Sequence, residues 1–165
     1  ENFFSMGALE AARSSDPADR LSVETMGKFR QDDVDVYAVP DLAFRKDGEV
    51  HILDWKTGRP TPKHLEQLKA YVLYGMDKGW ATSAEEFVLH AVYLLPAEVK
   101  TLRPSADDLE ETRARIRAGI ESMRAMHFDP WEDDHDLSGF PTDGAPGACR
   151  WCSFRRVCEA WPNSG

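Results

Sequence analysis

The sequence predicts an α/β fold in which helices flank a mixed central sheet, followed by a C-terminal tail that bears the cysteines. Alternating apolar residues between positions 21 and 56 predict strands. The near-continuous apolar run of residues 87–95 (FVLHAVYLL) predicts a strand buried on both faces. Helical periodicity occurs before, between and after these segments. The resulting order, helix–β–β–β–helix–β–helix, indicates a mixed rather than an all-parallel sheet.

The first 44 residues are predicted to form one helix and two strands. Residues 3–13 have apolar positions compatible with a helix. Residues 21–30 (LSVETMGKFR) alternate imperfectly and predict one strand, on which Glu24 is expected to face solvent. Residues 34–44 predict the next strand. Pro40 interrupts it, and because proline cannot donate to a ladder we expect an edge or a bulge there.

A β-hairpin is predicted around the Asp47-Gly48 pair, which separates the apolar runs of residues 39–44 and 50–55. An Asp-Gly pair between two alternating segments is a strong hairpin signal. The second arm is expected to continue to Lys56 as the third strand. The hairpin is therefore the most firmly predicted local structure in the chain.

The end of this hairpin concentrates charge. Side chains in a strand alternate faces, so Asp54 and Lys56 share one face while Trp55 points to the other. Asp41 lies on the partner strand and adds a second carboxylate. Such a cluster could bind a divalent metal and hold a water beside it. A surface ion pair between Asp54 and Lys56, worth at most about 1 kcal/mol, is the alternative.

Two further helices are predicted after the hairpin. Thr61 is a suitable N-cap, Pro62 suits the first helical position, and this helix should run to about residue 78. Gln67 and Tyr71 are four residues apart and therefore lie on one face of it. The last helix is predicted to start after Pro104 and to continue to about residue 126.

The net charge of −9 over 165 residues excludes a uniformly basic nucleic-acid binder. Six of the acids fall within residues 128–148, which contain no Lys or Arg, so the sum says little about a local groove. No apolar run approaches the roughly 18 residues of a membrane span. We expect a cytoplasmic protein with no membrane partner.

The residues quoted above carry a family resemblance. Pro40-Asp41 followed by Asp54-Trp55-Lys56 resembles the motif of the PD-(D/E)XK nuclease superfamily. Lys56-Thr57-Gly58, with the Gln67-x-x-x-Tyr71 pair on the next helix, is similar to the RecB-like branch of that superfamily. Three common residues at a loose spacing are a weak motif, but the combination with the helix pair is specific.

The resemblance implies a restriction-endonuclease-like core and a set of roles. Asp41, Asp54 and the backbone carbonyl of Trp55 would supply oxygen ligands to Mg²⁺ or Mn²⁺. Lys56 would orient the attacking water or stabilise the pentavalent transition state. Gln67 and Tyr71 would support the site and contact DNA. Without the resemblance they would be ordinary residues of a helix surface and core.

Relatives carry a further acidic residue, often with a histidine, on a helix before the first strand. Glu10 lies in the predicted first helix without a histidine beside it, so we expect it to be an ordinary surface residue. The sequence starts at Glu1, inside a predicted helix and without an initiator methionine. We therefore expect the nuclease core of residues 1–127 to continue upstream.

The three cysteines lie close together in the tail of residues 128–165. Cys149, Cys152 and Cys158 form a C-x2-C-x5-C pattern, which favours a metal site. The pattern is similar to the iron–sulfur motif of AddB-type and CRISPR-adaptation nucleases. That resemblance implies a [4Fe–4S] cluster whose fourth cysteine is outside this sequence. Zn²⁺ held with His135 or His127, or three idle thiols, are the alternatives.

These expectations define a metal-dependent deoxyribonuclease, with exonuclease action on single strands or DNA ends. It would serve in repair, recombination, phage replication or CRISPR spacer acquisition, with DNA and possible helicase-type proteins as partners. The alternative is a catalytically silent DNA- or protein-binding module of a larger helicase–nuclease assembly. A zinc-binding regulatory domain would explain the tail but not the charged hairpin.

Overall fold

The computed structural model describes residues 7–95, 97–125 and 149–153. The chain divides into two compact units, Glu1–Gly119 and Ile120–Gly165. The helices are α1 (Gly7–Ser14), α2 (Pro62–Asp77) and α3 (Ala106–Ala125). The strands are β1 (Arg20–Val23), β2 (Gly27–Gln31), β3 (Val34–Ala38), β4 (Leu42–Lys46), β5 (Glu49–Lys56), β6 (Phe87–Tyr93) and β7 (Glu98–Leu102).

The main sheet has five strands in the order β1-β4-β5-β6-β7. Strands β5 and β6 are parallel and are joined through α2, whereas the other neighbouring pairs are antiparallel. This arrangement confirms the predicted α/β class with a mixed central sheet and is consistent with a restriction-endonuclease-like core. All seven residues of β6 are buried, as the apolar run predicted.

The prediction of one strand over residues 21–30 is wrong. Strands β1 and β2 belong to different sheets, and the chain turns between them at Glu24, whose φ of 44° is left-handed. The prediction of one strand over residues 34–44 is wrong in treating this segment as a single strand, although the interruption at Pro40 is present as predicted. It breaks at the buried Pro40, which has no N–H for a ladder, into β3 and β4. Strands β2 and β3 form a separate two-stranded sheet.

The hairpin of β4 and β5 is present as predicted. Its turn residues Asp47 and Gly48 both have positive φ (52° and 83°), and Lys46 pairs with Glu49 across the turn. These are the backbone angles for which Asp-Gly is favoured in a two-residue turn. The hairpin fixes the register that brings the end of β5 beside the start of β4.

Strand β7 was not predicted. Its sequence EVKTL is mostly exposed and lies at the edge of the sheet, where only Val99 and Leu102 are partly buried. Such a short polar segment resembles a loop in sequence. Its strand conformation depends on pairing with β6.

Helix α2 covers one face of the sheet. Leu68 and Val72 are fully buried in the main hydrophobic cluster, together with Ile52 of β5 and Leu89 of β6. Burial of each such side chain contributes roughly 1.5–3 kcal/mol. Close approach also requires Gly75, since a Cβ there would lie 2.8 Å from the rings of Trp80 and Phe87. The packing holds α2 over the C-terminal end of β5.

No helix within the described ranges is both long and apolar enough to cross a membrane.

Candidate active site

The C-terminal end of strand β5 places Asp54 and Lys56 on one face and Trp55 on the other, as its alternation predicted. Trp55 packs with Leu53 and Phe44 in a second hydrophobic cluster. Asp54 and Lys56 line a cavity together with residues of α2. The last residues of this strand therefore anchor the second cluster through Trp55 and build a polar site with Asp54 and Lys56.

The carboxylate of Asp54 is buried, with 3% of the residue exposed. Burial raises the pKa of Asp54 above its ordinary value, and the neighbouring Lys56 ammonium opposes that rise. The negative charge of Asp41 adds to the rise. Lys56 forms an ion pair with Oδ2 of Asp54, an atom that receives no hydrogen bond of regular geometry from the described residues. The charged form of this carboxylate is thus costly to the fold, and the Lys56 ammonium offsets part of that cost.

Asp41 is placed by the break in the chain at Pro40. Its Oδ2 accepts a hydrogen bond of 2.6 Å from the backbone N–H of Trp55, and Asp41 immediately precedes Leu42, the first paired residue of β4. The N–H and C=O of one strand residue point to the same side of the strand. The carbonyl of Trp55 is therefore directed toward the side on which Asp41 lies.

A chain of hydrogen bonds connects β5 to α2. The Lys56 ammonium donates to Oε1 of Gln67 at 2.7 Å, and Nε2 of Gln67 donates to the Tyr71 hydroxyl at 2.6 Å. Tyr71 is mostly buried; burial and then the charge of Asp54 raise the pKa of its phenol. The amide of Gln67 thus fixes the direction of Lys56, and Tyr71 fixes the amide.

A cavity of about 550 Å³ brings the predicted residues together. Its lining includes the full predicted set, Asp41, Asp54, Trp55, Lys56, Gln67 and Tyr71. Their catalytic roles stay predictions, but they share one cavity although the chain separates them by up to thirty residues.

The sequence did not indicate the other wall of this cavity. Phe29, Tyr37, Ala38 and Val39 line it and come from β2, β3 and the residue that follows β3. The one feature of the sequence that could have indicated this wall is that Tyr37 and Val39 lie only a few residues before Asp41. These residues form no recognisable functional motif, because aromatic and apolar residues are common in strands.

The donors at this site fit a hard divalent cation. Two carboxylates, Asp41 and Asp54, and the carbonyl of Trp55 are the oxygen ligands that Mg²⁺ and Mn²⁺ prefer. A cation there would also offset the burial of the Asp54 charge. No group of three His, Cys, Asp or Glu side chains suited to a metal occurs within the described ranges. Such a cation would therefore depend on the two carboxylates, the carbonyl and water.

Glu10 and Glu24 do not complete the set of ligands. Glu10 is exposed on α1, as predicted. Glu24 is exposed too, and its backbone N–H donates to the carbonyl of Asp41 at 3.1 Å. Its contribution to the site is to fix the backbone of Asp41.

Only part of the cysteine motif can be placed. Cys149 is half-buried, Cys152 is exposed, and the N–H of Cys152 donates to the carbonyl of Cys149 at 3.2 Å. Cys158, His127 and His135 lie outside the described residues. The metal cluster of the tail stays a prediction.

Among solved structures, the chain is similar to the crystal structure of SSO0001. The two share 19% sequence identity with a TM-score of 0.49, and the match covers 92% of this chain and 66% of the other. No curated protein sequence matches the chain significantly.

The family comparison covers nearly the whole chain. The model of the PD-(D/E)XK nuclease superfamily matches residues 4–159, a range that includes the cavity residues and extends into the cysteine tail. Together with the mixed sheet and the carboxylate–lysine site at the end of β5, this match identifies the family. The chain belongs to the PD-(D/E)XK nuclease superfamily.

Proposed function

We propose that this protein is a Mg²⁺- or Mn²⁺-dependent deoxyribonuclease of the RecB-like branch that hydrolyses phosphodiester bonds, acting as an exonuclease on single strands or DNA ends. The observation that carries the proposal is the continuous connection from Asp54 through Lys56 and Gln67 to Tyr71, with Asp41 in the same cavity. A catalytically silent module would not require a lysine held in this way.

The side chains of the cavity have separate roles in the proposed hydrolysis. Asp41, Asp54 and the carbonyl of Trp55 would hold the cation, which lowers the pKa of a bound water and neutralises charge on the phosphate. An ammonium has three N–H donors. Asp54 and Gln67 engage two of those on Lys56, so the third can donate to the scissile phosphate or to the attacking water. Gln67 and Tyr71 keep that donor in place.

Local charge supports DNA binding despite the net charge of −9. Arg59 and Lys63 are exposed and form no ion pair with any residue that the structure describes. Arg59 lies in the loop that follows Lys56, and Lys63 lies one helical turn before Gln67 on the same face of α2. Two unneutralised cations beside the cavity suit a phosphate backbone.

The decisive test compares wild type with Lys56→Ala on end-labelled single- and double-stranded DNA, with and without Mn²⁺. We expect the variant to lose metal-dependent cleavage while its circular dichroism and melting temperature stay close to those of wild type. Lys100→Ala is the matched control, since Lys100 is an exposed lysine of β7 paired with Glu98. Undiminished cleavage by Lys56→Ala would remove Lys56 from the mechanism. DNA binding without any cleavage by wild type would establish the silent module instead.

We also infer that Cys149, Cys152 and Cys158 bind a [4Fe–4S] cluster, which takes a fourth ligand besides these three thiolates. The cluster would have a structural role and would not take part in the chemistry. Iron and acid-labile sulfide in anaerobically purified protein test this proposal. Stoichiometric zinc without iron would establish the three-cysteine, one-histidine alternative.

The pathway and any helicase-type partner belong to the same proposal. Repair, recombination, phage replication and CRISPR spacer acquisition each supply DNA ends or single strands to such an enzyme. Co-purification with the affinity-tagged protein would identify the partner.

A further inference from the structure

The hairpin of β2 and β3 is attached firmly to the helix that bears Gln67 and Tyr71. Phe29 and Ala38 are buried in the main hydrophobic cluster with α2 residues. Gly27 packs against the Tyr74 ring so closely that a Cβ would overlap it. The hairpin is therefore a fixed wall of the cavity, and side chains on it have defined positions relative to the candidate catalytic residues.

Tyr37 is the unusual residue of this wall. It lines the cavity beside Asp41 and Asp54, yet it is 66% exposed. Its hydroxyl makes no hydrogen bond to any residue that the structure describes, and its ring contacts no other described aromatic ring. The proposed hydrolysis does not use it. An exposed aromatic side chain on a residue that lines a polar cavity is available to a ligand bound there.

The neighbours of Tyr37 suit a nucleic-acid strand. Lys28 stands directly opposite Tyr37 in the β2–β3 register, and opposite residues share a face of a sheet. The ammonium of Lys28 pairs with Asp35 and remains more than half exposed. Tyr37 thus adds an aromatic residue to the lining of the cavity that contains the carboxylate–lysine site, and Lys28 lies beside it outside that lining.

The chemistry of stacking distinguishes between strand types. Stacking of a base on an aromatic side chain contributes about 1–3 kcal/mol and tolerates any base. A base within a duplex already stacks on both faces, so it would have to be extruded first at a cost of a few kcal/mol. An exposed aromatic ring therefore favours an unpaired strand.

We propose that Tyr37 stacks on an unpaired nucleobase next to the phosphate that is cleaved, and so selects single-stranded DNA over duplex. This proposal rests on the proposed nuclease function and assigns its substrate class to one residue. Tyr37 is a substrate-binding residue in this scheme and takes no part in proton transfer.

The test measures binding apart from cleavage. A fluorescein-labelled single-stranded oligothymidylate, an abasic oligonucleotide of the same length and a duplex of the same length are titrated in EDTA. Tyr37→Ala should weaken binding of the oligothymidylate by roughly 5- to 150-fold, the equivalent of one lost stacking contact. It should leave the abasic and duplex affinities unchanged. Tyr37→Trp should restore the oligothymidylate affinity.

Met26→Ala is the matched control, because Met26 is 69% exposed and lies outside the cavity lining. Equal losses on the oligothymidylate and the abasic strand, or wild-type binding by Tyr37→Ala, would overturn the stacking proposal. Neither result affects cleavage by wild type. Conversely, a wild-type protein that fails to cleave but shows the expected binding pattern would refute the nuclease and leave the role of Tyr37 established.

Discussion

The two faces of the central sheet bury polar side chains in opposite ways. On the face toward α2, Asp54 and Lys56 form an ion pair beside an open cavity. On the other face, His51 and His90 share a hydrogen bond of 3.1 Å, and His90 shares another of 3.1 Å with Thr101. The two imidazole rings are stacked with their centroids 5.4 Å apart.

The protonation states differ accordingly. Burial lowers the pKa of His51, and burial followed by the charge of His51 lowers the pKa of His90 to about 4. Both rings are neutral at physiological pH and satisfy one another. Asp54, by contrast, lies next to the Lys56 ammonium. Its buried Oδ2 receives no hydrogen bond of regular geometry from the described residues. A neutral hydrogen-bonded network stabilises the fold, whereas a buried charge that borders a cavity indicates chemistry.

The contrast between the two faces of the sheet would be wrong if Asp54 served only the stability of the fold. Asp54→Asn tests this, and we expect it to have the largest effect on cleavage of the variants considered. We expect metal-dependent cleavage to fall by at least roughly 10²- to 10³-fold, because the amide no longer carries the charge that a cation requires. We expect the free energy of unfolding to stay level or rise. Burial raises the pKa of Asp54, so the fold penalises the ionised carboxylate, and a neutral amide at this position escapes that penalty.

The measurements are initial cleavage rates with Mn²⁺ and urea unfolding at pH 7. Glu49→Gln is the control, since Glu49 lies on the same strand but binds Arg103 at the surface. It should retain full activity. A strongly destabilised Asp54→Asn with near-normal cleavage would show that both faces of the sheet serve only the fold.

The charged face was predictable because its information is local. Strand alternation gave the shared face of Asp54 and Lys56, and helical spacing gave the shared face of Gln67 and Tyr71. The Asp47-Gly48 turn gave the register between β4 and β5. Each of these depends on residues that are near one another in the sequence.

The histidine network and the hairpin wall were not predictable for the opposite reason. His51 meets His90 only because the crossover through α2 sets the parallel register of β5 and β6. Tyr37 reaches the cavity only because the chain leaves the main sheet at Glu24 and returns after Pro40. Neither break shows in hydrophobic periodicity.

The second prediction concerns the face of the sheet that carries His51 and His90. We expect the free energy of unfolding to decrease as the pH falls. In the unfolded chain a histidine binds its proton near pH 6.5, whereas the pKa of folded His90 is about 4. The unfolded state therefore binds more protons between these values, and stability falls as the pH drops from 6.5 to 4. This one group contributes about 3 kcal/mol over that range.

Urea unfolding of wild type and His90→Gln at pH 7 and pH 4.5 measures the effect. The variant should be less stable than wild type at pH 7 and should lose less stability on acidification. Cleavage at pH 7 should remain, since His90 faces away from the cavity. Parallel pH profiles for the two proteins would mean that His90 is not a neutral buried group.

The third prediction concerns Gln67 and has the smallest expected effect, because Gln67 contacts Lys56 but is itself uncharged. Gln67→Leu removes the acceptor that directs the Lys56 ammonium, so kcat should fall by about 10-fold, the equivalent of one hydrogen bond. KM and the melting temperature should change little, since Gln67 is exposed on α2. The matched control is Lys63→Leu, one turn earlier on the same helix face, which should raise KM and spare kcat. A change in KM alone for Gln67→Leu would show that Gln67 binds DNA and that the Asp54–Lys56 pair holds its own geometry.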